Sequence, residues 1–356
     1  MTKQILKADD NSTAIQTGNS SNVSVTYNGI APEQMSEIMQ ALAQQLPAFA
    51  NIARQIVDDR IEHFEEKVIN KFAQATPENT EAFKNPDFQY LLNKSQHAYA
   101  RCGDENVGDL LADLILERSK CKDRNRMSLS LNEAVEKTAI LTNEEFISLA
   151  VIFFFKSVKN TGVNNFSSFI DFHRPFIKKL APLLPNHGSA IQYLISQGCI
   201  TLTFGQSIGL YDAKFKETYS GIFSKGFTED FLKSKIDEEL YKNLEDNNLI
   251  IKCLNDSEKL QLNAQDEKTF LDRANKFSLE TESKRIWQLF KQTLLNTEEF
   301  DKKIIAEIPE YEILNSLWRD TDLGAIHLTP VGIAIAHSYL SSHFENFKPD
   351  LNIWIK

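Results

Sequence analysis

Cysteine is scarce. Cys102, Cys121, Cys199 and Cys253 stand far apart in 356 residues and form no CxxC pair, which argues against both a secreted disulfide framework and a zinc ribbon. The opening MTKQILKADDNST has no apolar core of the kind a signal peptide needs. The longest apolar run, LAVIFFF at 149–155, is too short to cross a bilayer. A cytoplasmic chain with no membrane partner is the expectation.

Catalytic signatures are missing as well. The sequence contains no GxxxxGK[ST] or GxGxxG to cradle phosphates, no GxSxG nucleophile turn, and no HExxH or HxxxH among its seven histidines. No metal, no cofactor and no nameable catalytic residue are expected, and the reading leans away from an enzyme. The formal charge of −10 concentrates late: residues 229–312 hold 20 Asp or Glu against 13 Lys or Arg. That balance disfavours nucleic acid as a partner, because such binding depends on neutralising phosphates.

What is present is helical patterning. Ala31-Pro32-Glu33 opens a helix, with proline tolerated in the first turn and the acid favourable at its positive end. Apolar residues then recur every three or four positions at Ile38, Leu42, Leu46, Phe49, Ala53, Val57, Ile61, Phe64, Val68 and Phe72. Pro47 predicts a kink, since an internal proline forfeits a backbone hydrogen bond. A stripe of this length needs a partner, either the following domain or the same helix of another subunit.

Pro77 and Pro86 end the helix, and a helical domain follows to about residue 185, with Thr142 and Glu145 at capping-box spacing. Two later stretches, 188–211 and 311–343, read as winged-helix-like units. In the second, Thr329 caps a helix with Pro330 at its first position, and the ending LNIWI is expected as an edge strand. Residues 226–310 between them read as acidic and helical. The helix TPVGIAIAHSYLSSH has no lysine or arginine, and SIGLYDAKFKETY offers only Lys214 and Lys216. These units are therefore expected to pack or dimerise rather than read DNA.

Two charged stretches invite a sharper reading. Asp109, Asp113 and Glu117 fall at i, i+4 and i+8 on one helix and could hold a divalent ion, but a solvated stripe opposite Leu110, Leu111, Leu114 and Ile115 is the preferred reading. The basic run at 117–128, with Arg118, Lys120, Lys122, Arg124 and Arg126, is expected to be a solvated helix end and loop.

The segment NSTAIQTGNSSNVSVTY at 11–27 stands apart. Its arms TAIQT and NVSVTY alternate apolar with polar around Gly18-Asn19, a pattern for short strands that cannot support themselves in water. Stacked copies would pair their backbone edges and ladder their Asn and Gln side chains, and a disordered tail is the competing reading. IQTGNSSNV at 15–23 resembles the short assembly motif of the receptor-interacting-protein homotypic type and the Asn/Gly-rich signalling-amyloid motifs at the ends of bacterial immune proteins. Ile15, Gln16, Gly18 and Asn19 match the motif, while Thr17 stands where it prefers an apolar residue. Together with GIAPEQMSEIMQALAQQL, DLLADLILERS and LTPVGIAIAH, this order also resembles a bacterial family found among defence-associated and mobile-element genes, which brings no activity with it.

The expected architecture is mainly α. It comprises a β-prone oligomerisation segment (1–30), an amphipathic helical stalk (31–75), a helical domain (76–185) and a winged-helix-like α/β-hairpin region (186–356). Ile15, Gln16, Gly18, Asn19, Val23 and Val25 are expected to carry assembly, and the stripe to align subunits. The partners implied are further copies of the chain, and beyond them another defence protein or a phage component. A nuclease or nucleotide hydrolase with a site around Asp109, Asp113 and Arg118 is the first rival, and a winged-helix DNA-binding regulator the second.

Overall fold

The computed structural model describes residues 32–185, 188–202, 211–320 and 325–356, with side chains from residue 39 onward except at 211, 212, 319 and 320. The β assembly segment with Ile15, Gln16, Gly18, Asn19, Val23 and Val25, and the side chain of Ile38, lie outside the described residues. What is described is mainly helical, with a few short antiparallel strands.

The first helix, α1 (Pro32–Ala73), is a single element that runs on past Pro47. The chain divides into two units after Val57. The described part of the first unit is helix throughout, and every residue from Met39 to Asp59 is exposed.

In the second unit, a 3₁₀ turn (Pro77–Lys84) leads to α2 (Pro86–Cys102), α3 (Glu105–Ser119), α4 (Arg126–Thr138), α5 (Asn143–Ser157) and α6 (Phe166–Leu180). Side-chain caps punctuate them. Asn85 accepts from the Asp87 and Phe88 amides, and Asp104 from those of Asn106 and Val107, each replacing an intrahelical bond that a first turn lacks. At α5 the expected pairing of Thr142 with Glu145 is present: the Thr142 amide and hydroxyl both donate to Glu145 Oε2, at 2.8 and 2.7 Å.

Every residue of α5 from Glu145 to Phe155 is buried, because a helix apolar on all sides can only sit at the centre of a core. Around it come α7 (Ser189–Ser196), β1 (Ile200–Leu202) and α8 (Tyr211–Thr218). After a second, inserted core described below, α13 (Thr297–Ile305), α14 (Tyr311–Asp320), β4 (Ile326–Leu328) and α15 (Pro330–His343) complete the main core. Helix α15 packs on α3, α4 and α5, capped as expected by Thr329, whose side chain accepts from the Gly332 amide. Gly332 is required for space: a Cβ there would lie 2.1 Å from the Cys199 carbonyl oxygen.

Two expectations change here. The stretches 188–211 and 311–343 each contribute one strand to a shared antiparallel pair, Ile200 opposite Leu328 and Leu202 opposite Ile326. The expected edge strand LNIWI is instead a 3₁₀ turn (Leu351–Ile353). Leu351 and Ile355 are buried in the core, and the Trp354 indole donates to the Ser157 carbonyl at 2.9 Å. Burying Leu351 and Ile355 gives the segment an apolar anchor in the core, while Asn352 and Ile353 stay exposed.

The inserted core lies between α8 and α13. It holds α9 (Glu229–Lys233), α10 (Glu238–Asp246), α11 (Glu267–Asn275) and α12 (Glu280–Lys291). The antiparallel hairpin of β2 (Ile250–Cys253) and β3 (Asp256–Leu262) adds strands to a region expected to be helical. Phe227, Leu244, Leu262, Phe270, Trp287 and Phe290 centre a core separate from the main one. Its two ends meet in a neck where the Lys225 amide donates to the Thr293 carbonyl at 2.7 Å and the Leu295 amide to that of Phe223 at 2.8 Å.

Candidate assembly interface

The α1 stripe divides at the unit boundary. Leu42, Leu46, Phe49, Ala53 and Val57 are exposed, joined by Met39, Ile52 and Ile56. Ile61 and Phe72 are half-buried, and Phe64 and Val68 fully buried. Leu46 and Phe49 leave 61% and 50% of their surface in water. Positions 39, 42, 46, 49, 53 and 56 alternate steps of three and four, the spacing that sets apolar residues along the seam of paired helices. Between residues 38 and 57 the only charged side chain is Arg54. Covering six half-exposed apolar groups would contribute roughly 5 to 9 kcal/mol per copy, against an association cost of about 4 to 15 kcal/mol. Such a face can hold copies together without further contacts only at the favourable end of those ranges.

The rest of α1 is fixed by charge as well as by apolar contact. Arg60 Nη1 donates to the Ala100 and Arg101 carbonyls at 2.9 and 3.1 Å, satisfying the last turn of α2 as cations do at helix C-termini. The chain then turns at Gly103, where φ is +62° and a Cβ would sit 2.4 Å from the Arg60 guanidinium. One heptad further, Lys67 Nζ lies 2.7 Å from Asp109 and 2.8 Å from Glu105, and Lys71 Nζ lies 2.6 Å from Asp113.

The acidic face of α3 is thus not the solvated stripe its spacing suggests. It is a ladder whose rungs are lysines at i and i+4 on α1. The Asp113 side chain is only 12% exposed, and its burial raises the carboxyl above its usual range even though Lys71 opposes the shift. Among the described residues its second oxygen, Oδ2, has no hydrogen-bond partner. Glu105 is held below the usual range by hydrogen bonds from Lys67 and then Tyr99. Tyr99, pushed up to about 12 by burial and by Glu105, donates to Glu105 Oε1 at 2.8 Å. Burial works against the charge on Lys67, yet Asp109 and Glu105 hold its pKa above the ordinary lysine value.

Arg118, expected in a solvated basic run, is buried. It donates to Asp87 at 2.7 Å, Asn132 at 3.0 Å and the Cys121 carbonyl at 3.1 Å. Asp87 is correspondingly lowered, by Asn132 first and then Arg118. Asp109 and Asp113 therefore face α1 while Arg118 faces α2 and α4, and the three do not converge on a shared pocket. Among the described residues no three His, Cys, Asp or Glu side chains gather to hold a metal ion, and no helix is long and apolar enough to cross a membrane.

Among the concavities of the described residues that sequence reasoning missed, two bear on function. One, of about 540 Å³, is lined by Lys156, Lys159, Lys214 and Lys268 and equally by Glu217, Asp266, Glu267 and Asp272. Lys156 is pushed down to about 8 there by burial and by Lys214, while Lys159 pairs with Asp266. Four charges of each sign give no preference for an anion. The other, of about 520 Å³, is apolar and lined by Phe64, Val68, Ile69, Phe72, Phe83 and Leu92. Its signal in the sequence was the continuation of the stripe beyond residue 61, which supplies one wall.

No curated protein and no solved structure matches the chain significantly. A family model described as ":-like" matches residues 29–355. Since that span covers all of the described residues up to Ile355, the chain belongs to the family this model defines.

Proposed function

We infer that the chain is a self-assembling interaction protein, with further copies of itself as the first partner and α1 as the element that brings them together. The observation that carries this is the exposed, nearly uncharged apolar face from Met39 to Val57. In proteins most helical stability comes from packing an apolar face rather than from propensity, so hiding this face is what would stabilise the segment. In this reading the segment with Ile15, Gln16, Gly18, Asn19, Val23 and Val25 adds strand pairing between copies brought near one another. The assembly then serves as a cytoplasmic scaffold, sensor, adaptor or effector in bacterial anti-phage defence, meeting a second defence protein or a phage component. The region 186–356 acts as a packing module. Its helix α10 turns Glu238, Glu239, Glu245 and Asp246 to solvent, a charge that opposes phosphate.

The test is the solution mass of the full chain carrying Leu46→Glu and Phe49→Glu. Both side chains are exposed, so a drop in mass with unchanged helicity supports the reading. A mass equal to that of the unaltered assembly removes α1 from it.

A further inference from the structure

The apolar groove of the second unit is built to accept a helix. Its floor is Phe64 and Val68, both buried, and its wall is Phe72 and Phe83, edge to face with ring centroids 5.0 Å apart, Phe83 being backed in turn by the buried Phe88 at 5.1 Å. Ile69 stands on the rim 64% exposed. Few polar side chains border the groove, among them Glu65 and Gln96, which bond to each other at 2.9 Å. A rigid apolar trough rimmed by polar groups is the form in which amphipathic helices are recognised.

We propose that this groove receives the α1 segment Met39–Val57 of a second copy of the chain, an inference that rests on the self-assembly reading above. Leu42, Leu46 and Phe49 supply anchors at i, i+4 and i+7, the spacing a groove of this kind reads. The segment brings a single charge, Arg54, so its entry leaves little to desolvate. The acid on the groove's rim is Glu65, of the sign that complements Arg54. Each copy offers one segment and one groove, and in the two-fold arrangement proposed here each segment fills the other copy's groove, which closes the assembly at two chains. A seam of segment against segment would leave Ile69 in water.

Two full-length variants test this: Leu46→Glu/Phe49→Glu, which spoils the segment, and Ile69→Glu, which spoils the groove through a residue whose side chain is mostly in water. Each alone is expected to have the mass of one chain. An equimolar mixture is expected to recover the two-chain mass, because one intact segment then meets one intact groove. If Ile69→Glu keeps the unaltered mass, the groove proposal is overturned and self-assembly stands. That result is expected if segments pair with segments, or if residues 1–31 or a different protein fill the groove. A mixture that stays at single-chain mass overturns it equally. An unaltered chain that is monomeric at every concentration overturns both readings.

Discussion

Replacing Lys71 with methionine strands a charge. Asp113 is 12% exposed and Lys71 32%, with 2.6 Å between Nζ and Oδ1. Removing one member of a well-buried pair costs about 3 to 5 kcal/mol, and the partial exposure of Lys71 brings the expectation down to about 2 to 3 kcal/mol. Lys84 and Glu81 form the internal control, a 2.7 Å pair with both side chains largely in water, for which Lys84→Met should cost about 0.5 kcal/mol or less. Adding Asp113→Leu to Lys71→Met should restore most of the loss, since the uncompensated carboxylate is then gone. Burial already raises the folded-state pKa of Asp113 above its unfolded value, so the folded chain binds the extra proton. The penalty in Lys71→Met is therefore greatest above that folded pKa and fades as pH falls through it. Urea unfolding followed by far-UV circular dichroism at several pH values measures all of this. Equal costs for Lys71→Met and Lys84→Met, or no recovery in the double variant, would refute the ladder as a structural latch.

Two further outcomes follow from the core. His173 is buried with Nδ1 2.8 Å from the Phe169 carbonyl oxygen, and burial pushes its pKa down to about 3; the unfolded value is about 6.5. Its contribution is therefore complete above about pH 6.5 and is lost as pH falls toward 3, at about 1.4 kcal/mol per pH unit. NMR of the ring should show no titration near pH 6.5, and a midpoint there would contradict the burial. Gly332→Ala places a Cβ against the Cys199 carbonyl and should destabilise by about 1 to 3 kcal/mol. Gly188→Ala, with nothing within 4 Å of the added Cβ, should cost only the N-cap preference for glycine over alanine, about 1 kcal/mol or less in a thermal melt.

Much of the helical architecture could be read locally. The Thr142–Glu145 pairing and the Thr329 cap with Pro330 at N1 depend on neighbours within one turn, and so did the span of α1. What could not be read was set by distant partners. The strands β1 and β4 are three residues each, and Ile200 finds Leu328 only once the intervening chain has folded. The β2–β3 hairpin did leave a signal, Asn255 in the turn between its two arms, but it was submerged in an acidic helical region. The spacing of Asp109 and Asp113 reads as a solvated face until Lys67 and Lys71 are seen opposite, 42 residues earlier in each case. Periodicity likewise cannot say whether an apolar stripe meets its own fold or another chain, and α1 carries one continuous pattern with Phe64 buried and Leu46 in water.

The measurement that bears most directly on self-assembly is the mass of the unaltered chain across a range of concentrations, by light scattering or sedimentation. Self-assembly through α1 predicts a multiple of 40.6 kDa that falls back on dilution; a constant 40.6 kDa throughout would contradict it.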